Sequence, residues 1–469
     1  MLRELIRFCY MHGGNPVPKV ASAMVPLDVP SLRQLRAFEA VARLESVSSA
    51  AREVNLSQPA LTQSLHALEA RFRARLFERR RSGCYPTELG LILLPRVRRF
   101  FDHIRSALAE PAVGAPFTGR RSADAIINKL TRPQLRSLVA ISENQSFEAA
   151  ARWLGIAQPS LHRSAKELER ELRRILYQRT VSGTTTTAQG SELARRFQLA
   201  MREIAYGLEE IQAAKGVVIS RLALGNIPHS NNQMLSAAIN RLLSAHPNAH
   251  VQVVDGHYEA LLHDLRAGKL DFLFGVLRRP DWAFDVKEEL LFANPYVVVG
   301  RRDHPLASLT TLKLDDLARY DWVMPGPSTP RQQALERMFS AMPMRPRVSI
   351  ETTSMQIYRA ILASTDRLTL MSRAESQLND DNALTVLPFH SAHLRRMDGV
   401  ATRLDWQPTS IHVEFLDLLR AQARALTAVS EVSPSATAST RLRRSHGIRR
   451  PKSAVREDAA RRPRRLRAQ

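Results

Sequence analysis

The sequence predicts an α+β chain of several domains: two copies of one small helical module, then a segment in which strands and helices alternate. Three observations predict it. The first half matches itself without a gap at an offset of 100 residues. After Val217 the apolar spacing changes from helical to strand-like. The 469 residues carry 68 Lys and Arg against 45 Asp and Glu, a net +23, which calls for a polyanionic partner.

The repeat comes first because it decides the rest. Gln34-Leu35-Arg36 recurs as Gln134-Leu135-Arg136, Ala50-Ala51-Arg52 as Ala150-Ala151-Arg152, and Gln58-Pro59 as Gln158-Pro159. Leu68-Glu69, Leu76, Arg79, Thr87 and Gly90 return in the same register.

Each copy reads as one string of elements. In the first, Leu35, Phe38, Val41 and Leu44 form a helical stripe. Ser48 or Ser49 is expected to cap a second helix holding Ala50-Ala51, small enough for another helix to approach closely. Asn55, matched by Gly155, suits the left-handed turn that follows. Ser57 then caps a third helix with Pro59 in its first turn, where the missing N–H costs nothing.

Two short helices joined by a tight turn, the second tipped with short polar residues, meet the needs of helix-turn-helix DNA reading. The expected reading edge is Ser57, Gln58, Pro59, Ala60, Thr62, Gln63 and Ser64, with Arg79 on phosphate. The counterparts in copy two are Gln158, Ser160, His162, Arg163 and Arg179. A turn at Ser82-Gly83 makes a wing-like segment before Pro86-Thr87-Glu88 opens another helix.

Beyond each module the apolar residues keep a heptad spacing: Leu94, Val97, Phe101, Ile104 and Leu108, then Leu193, Phe197, Ala200, Ile204, Leu208 and Ile211. Such seams suit pairing with another helix. Pro111 to Ala125, rich in Pro, Gly and Arg, reads as a linker.

These strings carry a resemblance. Gln34 to Phe38, Ser57 to Leu61, Leu76 to Arg79 and Pro86 to Gly90 closely resemble the winged helix-turn-helix of LysR-type transcriptional regulators. Copy two departs from the pattern at Ala157, Tyr177, Gln178 and Thr184 to Thr187, which leaves open which copy reads DNA. The resemblance implies that the long helices mediate dimerisation.

In the second half, Leu222 and Leu224, Val251 to Val254, Asp271 to Val276, Tyr296 to Val299, Trp322 to Met324 and Leu368 to Met371 read as strands with helices between. Alternation of this kind predicts parallel α/β sheets, with ligands beyond the carboxyl ends of strands. Asn226, Ile227, His229, Ser230, Gly275, Ser328, Thr353 and Ser354 occupy such places and are the candidate effector-binding residues. Their hydroxyls and helix ends suit an anionic or sugar-like small molecule. His246-Pro247, Leu265 to Asp271 and Asp303 to Leu306 resemble the same family's co-inducer domain. That resemblance implies a periplasmic-binding-protein-like pair of lobes with the effector in the cleft.

The expected domains are an N-terminal arm over 1–30, disordered or preceding a start at Met24, and a first module with its linker helix over 31–110. A linker covers 111–128, the second module 129–215 and the effector domain 216–426. The tail, 427–469, carries 12 Lys or Arg against three acids and almost no large apolar residue, so disorder is expected there.

Other classes find no residues to carry them. The two cysteines, Cys9 and Cys84, give neither a disulfide framework nor a zinc site. No P-loop, nucleophile elbow, dinucleotide fingerprint or metal-binding histidine set occurs, so no catalytic residue, metal or cofactor is expected. No apolar run approaches the roughly 18 residues that span a bilayer, and a cytoplasmic homo-oligomer on promoter DNA is expected. A second reading stays open, in which the modules serve oligomerisation of a ligand-binding protein.

Overall fold

The computed structural model describes residues 29–109, 120–181, 183–217, 221–228, 230–278, 283–327, 329–377, 383–391 and 394–432. Caps and left-handed turn residues set the first module. Helix α1 (Leu32–Leu44) opens on a capping box: Gln34 N donates to Ser31 Oγ at 3.2 Å while Ser31 N donates to the Gln34 carboxamide at 2.9 Å. The cap of α2 (Val47–Glu53) is Ser46, not Ser48 or Ser49. Ser46 holds the extended backbone a cap needs and accepts from Ser49 N at 3.3 Å, whereas the other two serines already lie inside the helix.

Asn55 takes φ 54° in the turn, and Ser57 accepts from Ala60 N at 3.3 Å to start α3 (Gln58–Phe72). An antiparallel hairpin, β1 (Phe77–Arg80) and β2 (Gly83–Pro86), forms the wing, and α4 (Glu88–Ala109) follows.

A short helix, α5 (Arg120–Ile127), lies inside the stretch expected to be linker. Too short to stand alone, it is held by packing: Ala123 and Ile127 are buried, and Asp124 accepts from Arg105 of α4 at 2.8 Å.

The second module repeats the first as α6 (Arg132–Asn144), α7 (Phe147–Leu154), α8 (Gln158–Leu172), β3 (Tyr177–Thr180), β4 (Gly183–Thr186) and α9 (Ala188–Ala214). Even the backbone turns recur, with positive φ at Glu45 and Gln145, Asn55 and Gly155, Arg73 and Arg173.

The long helices α4 and α9 pack against each other within this one chain. A Cβ on Gly207 would lie 2.8 Å from Leu93 Cδ1, and Arg96 Nη1 meets Glu203 at 2.9 Å. Farther along, Arg174 beside the start of α9 donates to Leu108 O at 3.0 Å, while Lys215 past its end donates to Arg73 O at 2.7 Å. Contacts running in opposite senses make the pair antiparallel. The buried stripe (Leu94, Val97, Phe101, Ile104, Leu108 with Leu193, Phe197, Ala200, Ile204, Ile211) belongs to one apolar core that spans both modules. Leu208, expected in that seam, is 41% exposed and lies outside it.

The second half forms two α/β lobes. Lobe one has a five-stranded sheet in the order β6 (His250–Asp255), β5 (Arg221–Asn226), β7 (Phe272–Val276), β14 (Met397–Arg403), β8 (Val286–Ala293). It is covered by α10 (Asn232–Ala245), α11 (Tyr258–Arg266) and α16 (Ser410–Val432), the last continuing past position 426.

Lobe two holds β9 (Tyr296–Arg301) between β12 (Thr369–Ser372) and β13 (Leu384–Val386), beside the parallel pair β10 (Trp322–Met324) and β11 (Val348–Glu351). Its helices are α12 (Leu314–Ala318), α13 (Pro330–Ser340), α14 (Met355–Ser364) and α15 (Arg373–Gln377).

The sheets are mixed rather than parallel as expected. The triplet β6-β5-β7 is parallel, but β14 runs antiparallel to both its neighbours, and β9 is antiparallel to β12 and β13. The chain crosses between lobes twice, and the returning strand must run against the outgoing one. Asn294 N donates to Arg396 O at 2.8 Å and Tyr296 N to Leu394 O at 2.9 Å, so the two crossings are bonded side by side.

Candidate nucleic-acid interface and effector site

In both modules a half-buried carboxylate fixes the third helix to the wing. Glu69 accepts from Leu76 N at 2.8 Å and Phe77 N at 3.2 Å, and Glu169 accepts from Leu176 N and Tyr177 N at the same two distances. The Leu-Glu pair was visible in the sequence as a repeat, but nothing local marked its role as a clamp.

The exposed faces differ. On α3, Gln58, Pro59 and Gln63 are exposed, while Ala60, Thr62 and Ser64 are half-buried. Ser57 is occupied as the cap, and the Ser64 hydroxyl donates back to Ala60 O at 2.9 Å. Thr62 Oγ1 accepts from Arg79 of the wing at 3.4 Å, so helix and wing present a joint surface.

On α8, Gln158, Ser160, Arg163 and Lys166 are exposed, as is Arg179 on the wing. The His162 ring stacks on Phe147 at 4.4 Å between centroids, which ties this expected reader down. Ala157 offers no side chain to cap the helix. Copy one therefore carries the capped, neutral reading edge, and copy two an uncapped edge with added cations.

Buried charges join modules to effector domain. Arg96 bonds Glu203 and Glu210 through its guanidinium and reaches Gln407 O at 3.1 Å; Arg99 bonds Glu203 at 2.9 Å. Burial alone would raise the Glu203 carboxyl, but the facing His103, Arg99 and Arg96 outweigh it and hold it down at about 2.

A second cluster centres on Asp271, fully buried at the start of β7. It faces Tyr206 and Arg202 of α9, the latter at 3.3 Å, has His412 of α16 at 3.2 Å, and accepts from Ala223 N at 2.7 Å. Burial would raise its carboxyl; His412 and Arg202 beside it hold it well below the usual carboxylate range. Burial, with Asp271 alongside, pushes the Tyr206 phenol up to about 12. The heptad spacing of α9 gave no hint of either cluster, because charged residues between apolar positions normally face water.

The candidate effector residues fall into two groups. In lobe one, the Asn226 amide donates to Asp255 at 2.7 Å and to Asn232 at 3.1 Å, while its buried Oδ1 has no partner among the described residues. Ile227 N donates to Phe274 O at 2.9 Å, and Ser230 Oγ donates to Ile227 O. A Cβ at Gly275 would strike Ser230 Oγ at 2.3 Å, so the strand end and the loop need glycine there.

In lobe two, Ser354 caps α14 by accepting from Ile357 N at 3.4 Å, and exposed Thr353 lies against Gly326. His229 and Ser328 lie outside the described residues. Sequence reasoning missed Arg331. It is buried on α13, bonds Glu375 with one nitrogen, and leaves Nη1 without a partner among the described residues. Among the described residues no cluster of metal-ligating side chains occurs, and no helix is long and apolar enough to cross a membrane.

Two winged helix-turn-helix modules, joined to a two-lobed α/β domain, define a DNA-binding regulator governed by a small molecule. The chain belongs to the LysR family: the bacterial regulatory helix-turn-helix protein of the lysR family matches residues 32–91 and again 133–191, and the LysR substrate binding domain matches 215–424. It is a LysR-family DNA-binding transcriptional regulator with an effector-binding domain.

It is 30% identical to the HTH-type transcriptional regulator GalR of Pseudomonas putida over 355 residues, 74% of this chain and 86% of the relative. Over 278 residues it is 25% identical to the regulator PcaQ of Agrobacterium fabrum, covering 59% and 89% of the two chains. The full-length OxyR structure from Pseudomonas aeruginosa aligns with a TM-score of 0.48 at 20% identity, over 61% of this chain and 97% of that one.

Proposed function

We propose that module one, 31–110, is the principal DNA reader, working through Gln58, Gln63 and the Ser57-capped start of α3, with Arg79 on phosphate. The observation that carries this is the exposed polar edge of α3, fixed from both ends by the Ser57 cap and the Glu69 clamp. Module two, 129–215, contributes Gln158, Ser160, Arg163 and Arg179 as a second, more cationic surface.

The effector domain, 216–426, takes an anionic or polyhydroxylated small molecule between Asn226 to Ser230 with Gly275 and the lobe-two group Ser328, Thr353 and Ser354. Asn226 Oδ1 and Arg331 Nη1, without a partner among the described residues, support a ligand with both donors and anionic oxygens. Ligand binding shifts promoter occupancy by favouring one arrangement of the lobes over another. The bonded crossings at Asn294 and Arg396 support a hinge there, and the Asp271 cluster supports transmission to α9.

Binding to a selected duplex across a salt series tests the reading. Gln58→Ala with Gln63→Ala should lose discrimination between sites, and Arg79→Ala should weaken all duplexes alike, lowering the salt slope by about one. Variants that bind like the parent would remove module one from the interface.

A further inference from the structure

The antiparallel pairing of α4 with α9 is written into unlike residues. Glu203, the acceptor for Arg96 and Arg99, has His103 as its counterpart in copy one. If copy one paired with copy one of a second chain, Arg96 and Arg99 would face His103 in place of Glu203, and although Glu110 stands at the counterpart of Arg96's other acceptor, Glu210, the loss of Glu203 would occur twice about the symmetry axis. Removing one partner of a buried ion pair is strongly destabilising because it strands a charge.

Sterics agree. Leu93 packs where Gly207 has no side chain, and the copy-one counterpart of Gly207 is Ala107. The cross-bonds Arg174 to Leu108 O and Lys215 to Arg73 O, together with Arg36 to Asn128 at 2.7 Å, also join unlike partners. The two modules are separated only by 111–128, so the tether raises their mutual concentration to the millimolar range.

We infer that each chain is by itself a complete two-headed reader, whose partner is a duplex bearing two half-sites of different sequence. This rests on the reading of α3 and α8 as DNA-facing helices. Palindromic sites mirror two identical readers. Here one head offers Gln58 and Gln63 and the other Gln158, Arg163 and Lys166, so the site has no dyad in its sequence.

The experiment takes the full chain and a duplex that it selects from a random-sequence pool. Native mass spectrometry counts chains per duplex, and footprinting scores each half-site. One chain per pair of half-sites is expected. The exposed double variant Arg163→Ala with Lys166→Ala should weaken protection of one half-site about tenfold and leave the other. Gln58→Ala with Gln63→Ala should relax the opposite half.

Two chains on one pair of half-sites, or an Arg163/Lys166 variant that leaves both halves protected, would overturn the inference and leave module one a DNA reader. A parent chain that selects no sequence at all would instead fell the DNA-facing assignment on which it rests.

Discussion

Copies one and two share a backbone almost position for position, yet they spend their side chains differently. The parts that shape each module are kept: the Glu69 and Glu169 clamps, the Asn55 and Gly155 turns, and Gly90 and Gly190 against Leu76 and Leu176 just ahead of each wing. The residues at the tip of the third helix and along the α4–α9 pairing have diverged: Ser57 against Ala157, Thr62 against His162, His103 against Glu203. Scaffold and surface answer to separate constraints, and a chain holding both copies displays the two side by side.

The largest test of that contrast concerns matched arginines. Arg96→Ala leaves Glu203 and Glu210 without their shared guanidinium in the core and should cost about 3–5 kcal/mol in a urea titration. Its counterpart Arg196 bonds Glu192 one turn away near the surface, so Arg196→Ala should cost under about 1 kcal/mol. Equal losses would mean that the copies contribute alike to the joint core.

Next come Gly90→Ala and Gly190→Ala. Each added Cβ would lie 2.3 Å from a backbone carbonyl, that of Leu76 or Leu176, and both should lose about 1–3 kcal/mol. A large difference between the two would show that the shared scaffold is not equally strained. The smallest effect is at the caps. Ser57→Ala should cost about 1 kcal/mol, while Ala157→Ser should gain up to about as much in a thermal melt. If the added serine gives nothing, the missing cap is not what separates the copies.

Local chemistry was readable in the sequence. The turn at Asn55, the cap at Ser57, the start of the helix after the wing and the bounds of α10 follow from residues a few positions apart. The seams were readable as stripes, but not their mutual partner, since spacing states which face is apolar and not what covers it. Strands β8 and β14 escaped notice for opposite reasons. Lys287-Glu288-Glu289 on an edge strand looks like a solvated loop, and Asp398, Thr402 and Arg403 look exposed until a partner buries them. Arg96, Asp271 and Arg331 share that property: each is one charge among many until the tertiary structure takes it out of water.

The fused pair of long helices also changes what a single codon controls. In a symmetric dimer every substitution appears twice, so a reading edge cannot be altered for one half of its target without altering the other. With both heads encoded in tandem, Gln63 and Arg163 answer to separate codons. If each head reads its own half-site, one half of the target can drift and be followed by its own reader while the other half stays anchored, a stepwise route to new promoters.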